Sequence, residues 1–540
     1  MGDNKKMRSR QLRRMCGGHL PTTTAWIYYA AVSRQTRSLR QRRLVCEEQD
    51  ADYSTPNLNG EKEWVEDDLS EVQALLGTPR RLLIACGDCE GKGFLSGGHS
   101  RRSARAKRKK RETGSYPRND PKKCLRCEGS GLVTGEPMKN HAQKPVGIIG
   151  GGIGGLALAL GLTHRGVDCR VYERDASFFT RRPGYGLTLQ QGGRALRALG
   201  VLDLVRDAGI WTPAHGAYDG VTGEALGEHG AKHRKKDETK VDFAVHVPRQ
   251  SLRAILLSQL PENVVRWNAP VNNFSEENND LFFESHSLMV GADGLRSQTR
   301  RRLFPETDDG LEKVSDLVVL FGRADYDSSS SDDEPPSVFQ VVDGAARLYA
   351  MPYNKRQIMW QLSWRRTEAL PKGQEALHAV AKDVVSHWSR SLPPSVRDLV
   401  DRTDSKTVQG YPILDRQTVF PSDSIQQRTL LVGDAAHPMA PFKAQGANQA
   451  LLDAISLARK LADAFLKNID IDDAITDYHE EMEPRALAKM RASRSAALLL
   501  HSPAARTPSS GRLTRSAAAL QEQQQTTTPA KQGPDLLSSP

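Results

Sequence analysis

The chain has 540 residues, and its 76 Lys and Arg against 65 Asp and Glu give a formal net charge of +11. No stretch approaches the roughly 20 apolar residues that span a bilayer, which excludes a multi-pass membrane protein with transmembrane segments. Strongly patterned apolar segments in the middle of the chain exclude wholesale disorder. At roughly 150 residues per domain, this length predicts three or four units.

The first two segments have little of the patterning of a packed domain. Residues 1–46 contain one acidic residue, Asp3, among many basic and hydroxyl-bearing ones. This composition is typical of a transit peptide for an organelle (plastid or mitochondrion), and equally of a disordered basic tail, which leaves a cytoplasmic location as the alternative. Residues 47–80 form a predicted linker with one short helical pattern, which Gly77 and Pro79 end.

Six of the seven cysteines precede the first well-patterned strand, and four of them belong to a repeated motif. Cys86 with Cys89, and Cys124 with Cys127, each stand in a C-x-x-C-x-G-x-G sequence within residues 81–135. Two thiolates on each of two glycine-containing turns predict a closed tetrahedral zinc site, with a redox dithiol pair as the alternative. The repeats resemble the zinc domain of DnaJ chaperones, whose four repeats hold two zinc ions, so two repeats imply one.

A basic run, from Arg101 to Arg111, separates the two cysteine repeats. Such a cluster can bind nucleic acid, but this one has no interleaved aromatic residues, and a solvated loop is favoured. The surplus of positive charge therefore predicts no nucleic-acid partner.

Residues 144–495 have the pattern of a large α/β domain. A strand, a helix and a second strand follow one another: Val146–Ile149, Ile153–His164 and Cys169–Tyr172. This βαβ order predicts a parallel sheet. Short strands with turn residues between them predict an antiparallel sheet over about 310–410. Residues 496–540, after the last helical pattern, are predicted to be a disordered tail.

The turn between the first strand and helix is Gly150-Gly-Gly152-Ile-Gly-Gly155, which matches G-x-G-x-x-G. Gly150 permits the tight turn, Gly152 lets a pyrophosphate approach the backbone, and Gly155 lets the helix pack close to the strand. Glu173 ends the second strand, where its carboxylate can bind ribose hydroxyls and repels a 2′-phosphate. This half of the domain predicts FAD or NAD, with Glu173 and its neighbour Arg174 at the cofactor.

Two later motifs predict further ligand-binding loops. An Asp-Gly pair and a Gly-Asp pair each follow a short apolar strand, and the second leads into a helix N-terminus, which offers N–H donors and a positive dipole. A simple NAD dehydrogenase needs no such additional edges, so FAD is the predicted cofactor. The residues of these motifs predicted to bind it are Asp293, Gly294, Gly433, Asp434, Pro441, Gly446, Ala447 and Asn448.

With these motifs in order, the sequence resembles the class A flavoprotein aromatic hydroxylases, which include para-hydroxybenzoate, salicylate and urate hydroxylases and, more distantly, zeaxanthin epoxidases. The resemblance covers about residues 145–490. It implies an α/β fold: a Rossmann-like FAD-binding domain with an inserted antiparallel-sheet substrate domain and C-terminal helices. It also implies a monooxygenase that uses NADPH or NADH and molecular oxygen to hydroxylate or epoxidise a small, aromatic or electron-rich substrate through a flavin hydroperoxide.

The resemblance assigns roles to individual side chains. Glu173 would hold the adenosine ribose, and Asp434 the ribityl chain. Arg249, in a sequence like the family's R-x-x-L helix start, would contact the diphosphate side. Asp293 would serve FAD and reduced nicotinamide together. The stretch from Val271 to Leu288 departs from the family, because it is shorter than the expected pair of strands.

The loop before the C-terminal helix would contact the flavin ring. Pro441 and the backbone of Gly446 and Ala447 would line the isoalloxazine. His437 is favoured as a structural residue of this loop over a catalytic one. Ala444 departs from the family, because many relatives have glycine there, and alanine is small enough for the loop N–H to keep its role.

The substrate is expected on the antiparallel sheet, although core packing is the more common role for side chains at such positions. The candidates are Tyr349, Tyr353, Gln361 and Trp364. The zinc knuckle is expected to dock a protein partner. A different class of function is a catalytically reduced flavoprotein that acts as an interaction or chaperone-like module. A third interpretation is that residues 1–140 were joined by an erroneous gene model.

Overall fold

The structure is a computed structural model that describes residues 66–95, 122–136, 144–181, 184–212, 214–230, 245–271, 285–303, 310–325, 338–392, 396–419 and 428–507. All of them belong to one unit, Trp64–Pro540. The predicted tail or transit peptide, the basic insert and the residues after 507 lie outside these ranges, so what was predicted for them stays a prediction. No described helix is both long enough and apolar enough to cross a bilayer.

Strands and helices are numbered in chain order. The strands are β1 (Leu83–Ala85), β2 (Phe94–Leu95), β3 (Lys122–Lys123), β4 (Leu132–Thr134), β5 (Val146–Ile149), β6 (Cys169–Tyr172), β7 (Gly186–Leu189), β8 (Ile210–Trp211), β9 (Ala214–Asp219), β10 (Ala225–Gly230), β11 (Val245–Pro248), β12 (Val265–Arg266), β13 (Leu288–Gly291), β14 (Glu312–Asp325), β15 (Val338–Val342), β16 (Ala346–Pro352), β17 (Gln357–Arg365), β18 (Gln409–Asp415) and β19 (Thr429–Leu431). The α-helices are α1 (Glu66–Leu76), α2 (Ile153–Thr163), α3 (Gly192–Ala198), α4 (Leu202–Ala208), α5 (Arg249–Ser258), α6 (Gln298–Leu303), α7 (Gln374–Val385), α8 (Val396–Asp401), α9 (Gly446–Lys467) and α10 (Ile471–Leu500).

A five-stranded parallel sheet forms the centre of the first layer, in the order β12-β6-β5-β13-β19. The central strand β5 is buried along its whole length, as expected for a strand covered on both faces. Helix α2 connects β5 to β6, and a Cβ on its Gly161 would lie 2.9 Å from the Cβ of Ala458 on α9. Small residues therefore let these two helices pack closely. The carboxyl ends of β5, β13 and β19 lie side by side.

A seven-stranded sheet, in the order β10-β9-β15-β16-β17-β14-β18, forms the second layer. One of its faces packs against α7 and α8 in an apolar cluster that includes Trp360, Trp388 and Val400. The Rossmann-like fold class with an inserted sheet is confirmed. The predicted range of 310–410 omits β9 and β10, and β9 pairs with β15 in parallel. Glycine and histidine interrupt the alternation of apolar residues in β9 and β10, so their sequences carry no clear strand signal.

The ordered fold extends past the predicted start of the C-terminal tail. Ala497 and Leu500 are buried in an apolar cluster, and His501 Nε2 lies 2.9 Å from Ser363 Oγ. The tail prediction from residue 496 is therefore wrong for the first residues of that segment. The apolar run at the end of α10 continues the helical pattern until Pro503.

Helix α1 lies in the predicted linker but is packed against the first layer. Val72 is buried with Phe178 and with Ala254 of α5. At its other side, the Asp68 carboxylate pairs with Arg323 of β14 at 2.5 Å, and both side chains are buried. The helix therefore connects the first layer to the seven-stranded sheet.

Candidate active site

Three loops meet at the carboxyl edge of the parallel sheet. They follow the adjacent strands β5, β13 and β19 and contain the three glycine-bearing motifs. Open α/β sheets bind their ligands at this edge. Between these loops and the inner face of the seven-stranded sheet lies a cavity of about 440 Å³.

The glycines of these loops fall into two groups. Gly150 has a φ of +108°, and a Cβ on Gly155 would lie 2.0 Å from the Gly150 carbonyl oxygen. These two let the turn close and the helix approach the strand. A Cβ on Gly152 would meet no atom nearer than 4.0 Å, and one on Gly294 none within 4 Å, and both glycines line the cavity. This open space at the start of α2 fits a diphosphate that approaches a helix N-terminus.

The third loop is held by buried charges below the cavity. The Gly433 N–H donates to an Asp453 carboxylate oxygen at 3.0 Å, and His437 Nε2 lies 2.6 Å from the same oxygen. Arg485 donates to the other oxygen at 2.8 Å. Burial opposes the charge of Asp453, but His437 and Arg485 outweigh it and lower the Asp453 pKa. Asp453 likewise outweighs burial and raises the pKa of His437, which is fully buried and does not line the cavity.

Asp434 faces the cavity from this loop, with positive groups around it. Burial raises its pKa more than the nearby His437, Arg249 and Arg300 lower it. Arg249 lines the cavity from the first turn of α5. Arg300 is buried and donates to the Ala435 carbonyl oxygen at 3.0 Å, which ties the second loop to the third. Helix α9 begins at the cavity with Gly446, so its N-terminal N–H groups add positive potential there.

A family model described as an FAD binding domain matches residues 143–493. Phenazine 1,6-dicarboxylic acid hydroxylase PhzS of Lysobacter antibioticus is 30% identical over 402 residues, which cover 66% of this chain and 91% of that protein. The chain belongs to the class A FAD-dependent aromatic monooxygenases. The 3-amino-4-hydroxybenzoate 2-monooxygenase of Streptomyces cremeus is 27% identical over 368 residues, or 66% of this chain and 88% of that protein.

A solved structure shows the same fold. Klebsiella pneumoniae HpxO, in complex with FAD and uric acid, has a TM-score of 0.55 at 20% identity, over 68% of this chain and 90% of that one. The family model and the Lysobacter antibioticus hydroxylase confirm the predicted family, enzyme class and FAD cofactor. These relatives give no support to the alternative of an interaction or chaperone-like module.

Of the residues predicted to bind the cofactor, eight line the cavity of the monooxygenase. They are Gly152, Arg249, Gly294, Gly433, Asp434, Pro441, Gly446 and Ala447. Loop residues beside Pro441 complete this wall, among them Phe442 and Ala444. The backbone of Ala444 has a φ of +50°, in the left-handed region that favours glycine.

The side chain of Asn448 is used entirely within the protein. Its carbonyl oxygen accepts from the backbone N–H groups of Gln190 and Gly192, both at 2.8 Å. Its amide donates to the carbonyl oxygens of Thr188 at 3.0 Å and Ala444 at 2.6 Å. A carboxamide has two donors and two lone pairs, so this one has none left for a cofactor. Its role is to join α9 to the loop after β7.

Asp293 also contributes to the loops through its side chain. One carboxylate oxygen accepts from Ser297 Oγ at 2.5 Å, and the other accepts from the N–H and the hydroxyl of Thr299, both at 3.0 Å. These bonds cap the start of α6. The carboxylate does not line the cavity, which is reached by the next residue, Gly294.

Glu173 lies beside the glycine-rich loop, where it is buried. It accepts from the Gly151 N–H at 2.8 Å and from Arg181 at 3.1 Å. Nη2 of the buried Arg253 lies 3.7 Å from a Glu173 carboxylate oxygen, and Nε of Arg253 donates to the Gly151 carbonyl oxygen at 2.7 Å. Arg174 is exposed. The contact of Glu173 and Arg174 with a cofactor stays a prediction, and the pairing of Glu173 with two arginines was not foreseen.

The opposite wall of the cavity is the inner face of the seven-stranded sheet. Gln340, Tyr349 and Gln361 stand directly opposite one another on β15, β16 and β17. All three line the cavity, as does Arg347, which shares their face of the sheet. His215 of β9 lies beside them.

Two of the four substrate candidates are therefore at the cavity, Tyr349 and Gln361. Tyr353 packs with Met351 and Met359, and Trp364 packs in the cluster on the other face of the sheet. Core packing accounts for both of them. Gln340 and Arg347 were missed because polar residues alternate with apolar ones on these strands, and only the register shows which face turns to the cavity.

The four motif cysteines come together at a separate site. Their sulfur atoms all lie within 4.8 Å of one another, and Cys89 Sγ is 3.6 Å from Cys127 Sγ. Zinc–sulfur bonds of about 2.3 Å in a tetrahedron require sulfur–sulfur distances of about 3.8 Å. The Gly93 N–H donates to Cys89 Sγ and the Gly131 N–H to Cys127 Sγ, both at 3.2 Å. These residues therefore fit a zinc tetrathiolate.

The knuckle is packed against the flavin-binding half of its own chain. The Ala85 N–H donates to the carbonyl oxygen of His164, at the end of α2, at 2.8 Å. Arg459, in the second half of α9, donates to the Gly91 carbonyl oxygen at 3.0 Å. The two helices that start at the cavity therefore both contact the knuckle farther along.

Proposed function

We propose that this monooxygenase uses NADPH or NADH and molecular oxygen to hydroxylate or epoxidise a small aromatic or electron-rich substrate. FAD, when bound, supplies the hydride acceptance and oxygen activation that no side chain can provide. The observation that carries the proposal is the cavity itself. It joins the open backbone positions of Gly152 and Gly294 to the polar inner face of the sheet.

The chain's own residues bind and orient both molecules. The backbone at Gly152 and the start of α2 receive the diphosphate, with Arg249 adding positive charge. Asp434 would offer its carboxylate to the ribityl hydroxyls, and the N-terminus of α9 would supply positive potential beside the flavin ring. The sheet face and Phe442 enclose the substrate and keep water from the reacting atoms.

The test is a spectrum followed by a turnover assay. Protein purified with its flavin is expected to show a yellow two-band absorption spectrum. Oxidation of NADPH or NADH, followed with oxygen uptake, is expected to rise when phenolic compounds are added, and mass spectrometry of the product separates hydroxylation from epoxidation. Protein that remains colourless after incubation with FAD would contradict the proposal.

We also propose that the knuckle binds one structural zinc ion through Cys86, Cys89, Cys124 and Cys127. The sulfur distances and the N–H donors to sulfur support this over a redox dithiol pair. Metal analysis is expected to find one zinc per chain, and thiol reagents are expected to react with these cysteines only after chelation. A protein partner for the knuckle stays a prediction. Leu125 of the knuckle is 88% exposed, so its apolar side chain is available to such a partner.

A further inference from the structure

One arginine of the last long helix, α10, is connected to two parts of the cavity wall. Arg485 Nη2 donates to an Asp453 carboxylate oxygen at 2.8 Å, and its Nη1 donates to Gln449 Oε1 at 2.7 Å. Both acceptors are fully buried side chains of α9. Arg485 does not line the cavity, so its effect on a ligand there passes through these two side chains.

The first branch of this network runs through Asp453 to the Gly-Asp motif. The Asp453 oxygen that does not bind Arg485 accepts from the Gly433 N–H at 3.0 Å and lies 2.6 Å from His437 Nε2. Gly433 has a φ of +59°, and it lines the cavity together with Asp434. The backbone that presents Asp434 to the cavity is therefore held at both ends of its turn by one carboxylate.

The second branch runs through Gln449 to the segment before α9. Gln449 Nε2 donates to Gln445 Oε1 at 3.3 Å, and Gln445 Nε2 donates to the Lys443 carbonyl oxygen at 3.1 Å. Gln445 and Lys443 line the cavity, and α9 begins directly after them at Gly446. Arg485 therefore also holds the segment that leads into the N-terminus of α9.

Charge makes this network stronger than a set of neutral hydrogen bonds. A buried carboxylate is costly unless cations and donors satisfy it, and Asp453 is completely buried. Burial opposes the charge of Asp453, but His437 and Arg485 outweigh it and lower its pKa. Within the described part of the chain, these are the two cationic side chains within 4 Å of the Asp453 carboxylate. Removal of Arg485 would leave the carboxylate with the imidazole alone and weaken the hold on Gly433.

We propose that Arg485 and Asp453 are positioning residues of the FAD site. They hold the backbone of Gly433 and Asp434 and the start of α9 in place before the cofactor arrives, so FAD binding does not have to order these segments. Helix α10 contributes no residue to the wall of the cavity, although the structure describes all of it. It is nevertheless a part of the cofactor site through Arg485.

The test is a titration of FAD into full-length protein from which the flavin has been removed, followed by the quenching of flavin fluorescence. Arg485→Gln is expected to weaken FAD binding about 10- to 100-fold, the range for a lost hydrogen bond to a charged group. Arg485→Lys keeps a positive charge that can reach Asp453, although one ammonium does not replace the fork to two acceptors. It is expected to bind FAD more tightly than Arg485→Gln, because the branch through Asp453 is retained.

The variant Arg494→Gln is a matched control on the same helix. The side chains of Arg485 and Arg494 are 21% and 22% exposed, and each pairs with a buried carboxylate, Asp453 or Asp415. Asp415 ends β18 and does not line the cavity. Both substitutions are therefore expected to lower the melting temperature of the flavin-free protein to a similar extent. The further rise in melting temperature on addition of FAD is expected to shrink in Arg485→Gln alone.

Asp453→Asn tests the same network through its acceptor. This change keeps the shape of the side chain but removes its charge, and it is expected to weaken FAD binding as Arg485→Gln does. Because the two side chains act together, the double variant is expected to lose less binding free energy than the sum of the two single losses. Asp453→Asn combined with Arg494→Gln is expected to show additive losses. The Arg485 variants decide the question if Asp453→Asn does not fold.

Three results overturn the inference: wild-type FAD affinity in Arg485→Gln, an equal loss of FAD affinity in Arg494→Gln, or Arg485→Lys that binds FAD no better than Arg485→Gln. Additive losses in the double variant of Asp453 and Arg485 would likewise overturn it. Wild-type protein that does not bind FAD overturns this inference together with the proposed function. FAD binding without oxidation of NADPH or NADH contradicts the proposed function alone.

Discussion

The flavin-binding half and the knuckle are stabilised in different ways. The parallel sheet lies in a large apolar core formed by its own strands together with α2, α5 and α9. The buried cluster of the knuckle consists of its four cysteines, with Val133 packed against them. Glycine serves the two regions differently as well: Gly152 and Gly294 of the flavin loops leave room for a ligand, whereas in the knuckle a Cβ on Gly93 would lie 2.4 Å from the Gly129 carbonyl oxygen. One region has an extensive apolar core of its own, and the other has almost none.

The largest expected effect is that of zinc removal. Structural zinc supplies about 10–16 kcal/mol of apparent binding free energy in zinc-finger peptides, which is more than so small an apolar cluster provides. Chelation is expected to make amide hydrogens of residues 81–95 and 122–136 exchange rapidly, while those of β5 and β13 stay protected. Hydrogen exchange with mass spectrometry measures this. Cys169→Ser, which alters a cysteine of β6, serves as the control and should keep its zinc. Unchanged hydrogen exchange in the knuckle after chelation would show that the knuckle does not need zinc to stay folded.

The substitution Gly152→Leu is expected to have the next largest effect. A Cβ at this position would meet no protein atom nearer than 4.0 Å, so the fold is expected to remain while FAD affinity falls about 10- to 100-fold. Flavin absorbance relative to protein, with circular dichroism for the fold, measures both parts. Gly87→Leu is a matched control in the knuckle, where a Cβ also meets nothing within 4 Å. Full retention of the yellow colour in Gly152→Leu would disprove the assignment of the cavity.

The flavin-binding half is expected to lose stability in acid through two histidines. Burial lowers the pKa of His164 and of His246 to about 3, whereas histidine in an unfolded chain titrates near 6.5. The unfolded state therefore takes up protons first, and the free energy of unfolding falls from about pH 6.5 towards pH 3. At pH 5 each histidine is expected to account for about 2 kcal/mol.

Chemical unfolding at several pH values between 5 and 7.5 measures this slope. His246→Gln, which replaces a ring held by Thr188 and Thr212, is expected to show a shallower slope than the wild type. Identical slopes would refute the role of His246. Zinc content is followed in parallel, because acid also protonates thiolates and would release the metal from the knuckle.

The smallest expected effect is that of Ala444→Gly. Glycine removes the strain of a left-handed alanine but makes the unfolded chain more flexible, so a net gain of up to about 1 kcal/mol is expected. Gly93→Ala in the knuckle is expected to have the opposite sign. Thermal unfolding of the flavin-loaded, zinc-loaded protein compares the two. Destabilisation of the protein by Ala444→Gly would show that the loop requires its alanine.

The flavin half could be predicted from the sequence because its signals are local. A short apolar strand, a glycine-rich turn and a helix of small residues define β5 and α2, and parallel pairing then brings Gly294 and Gly433 to the same edge. Arg347 could not be assigned in this way, because its position at the cavity depends on the register of β16. The bond between His437 and Asp453 was equally hidden, because it depends on how α9 packs behind the loop.

The sequence of the knuckle likewise predicts its local motif but not its tertiary contacts. Its spacing predicts the four sulfur ligands, but nothing in the motif indicates that Arg165 and Arg459 lie beneath it. The contacts of residues 66–95 with the rest of the described fold also favour their presence in the mature fold over an erroneous gene model.

Helix α1 has a practical consequence for anyone who expresses this enzyme. A fragment trimmed to the family match, residues 143–493, would lack the helix and would uncover Phe178 and Ala254. It would also leave Arg323 buried beside Tyr353 with its carboxylate partner removed. Such a fragment is expected to aggregate, so active enzyme is expected to require helix α1 in addition to the residues of the family match.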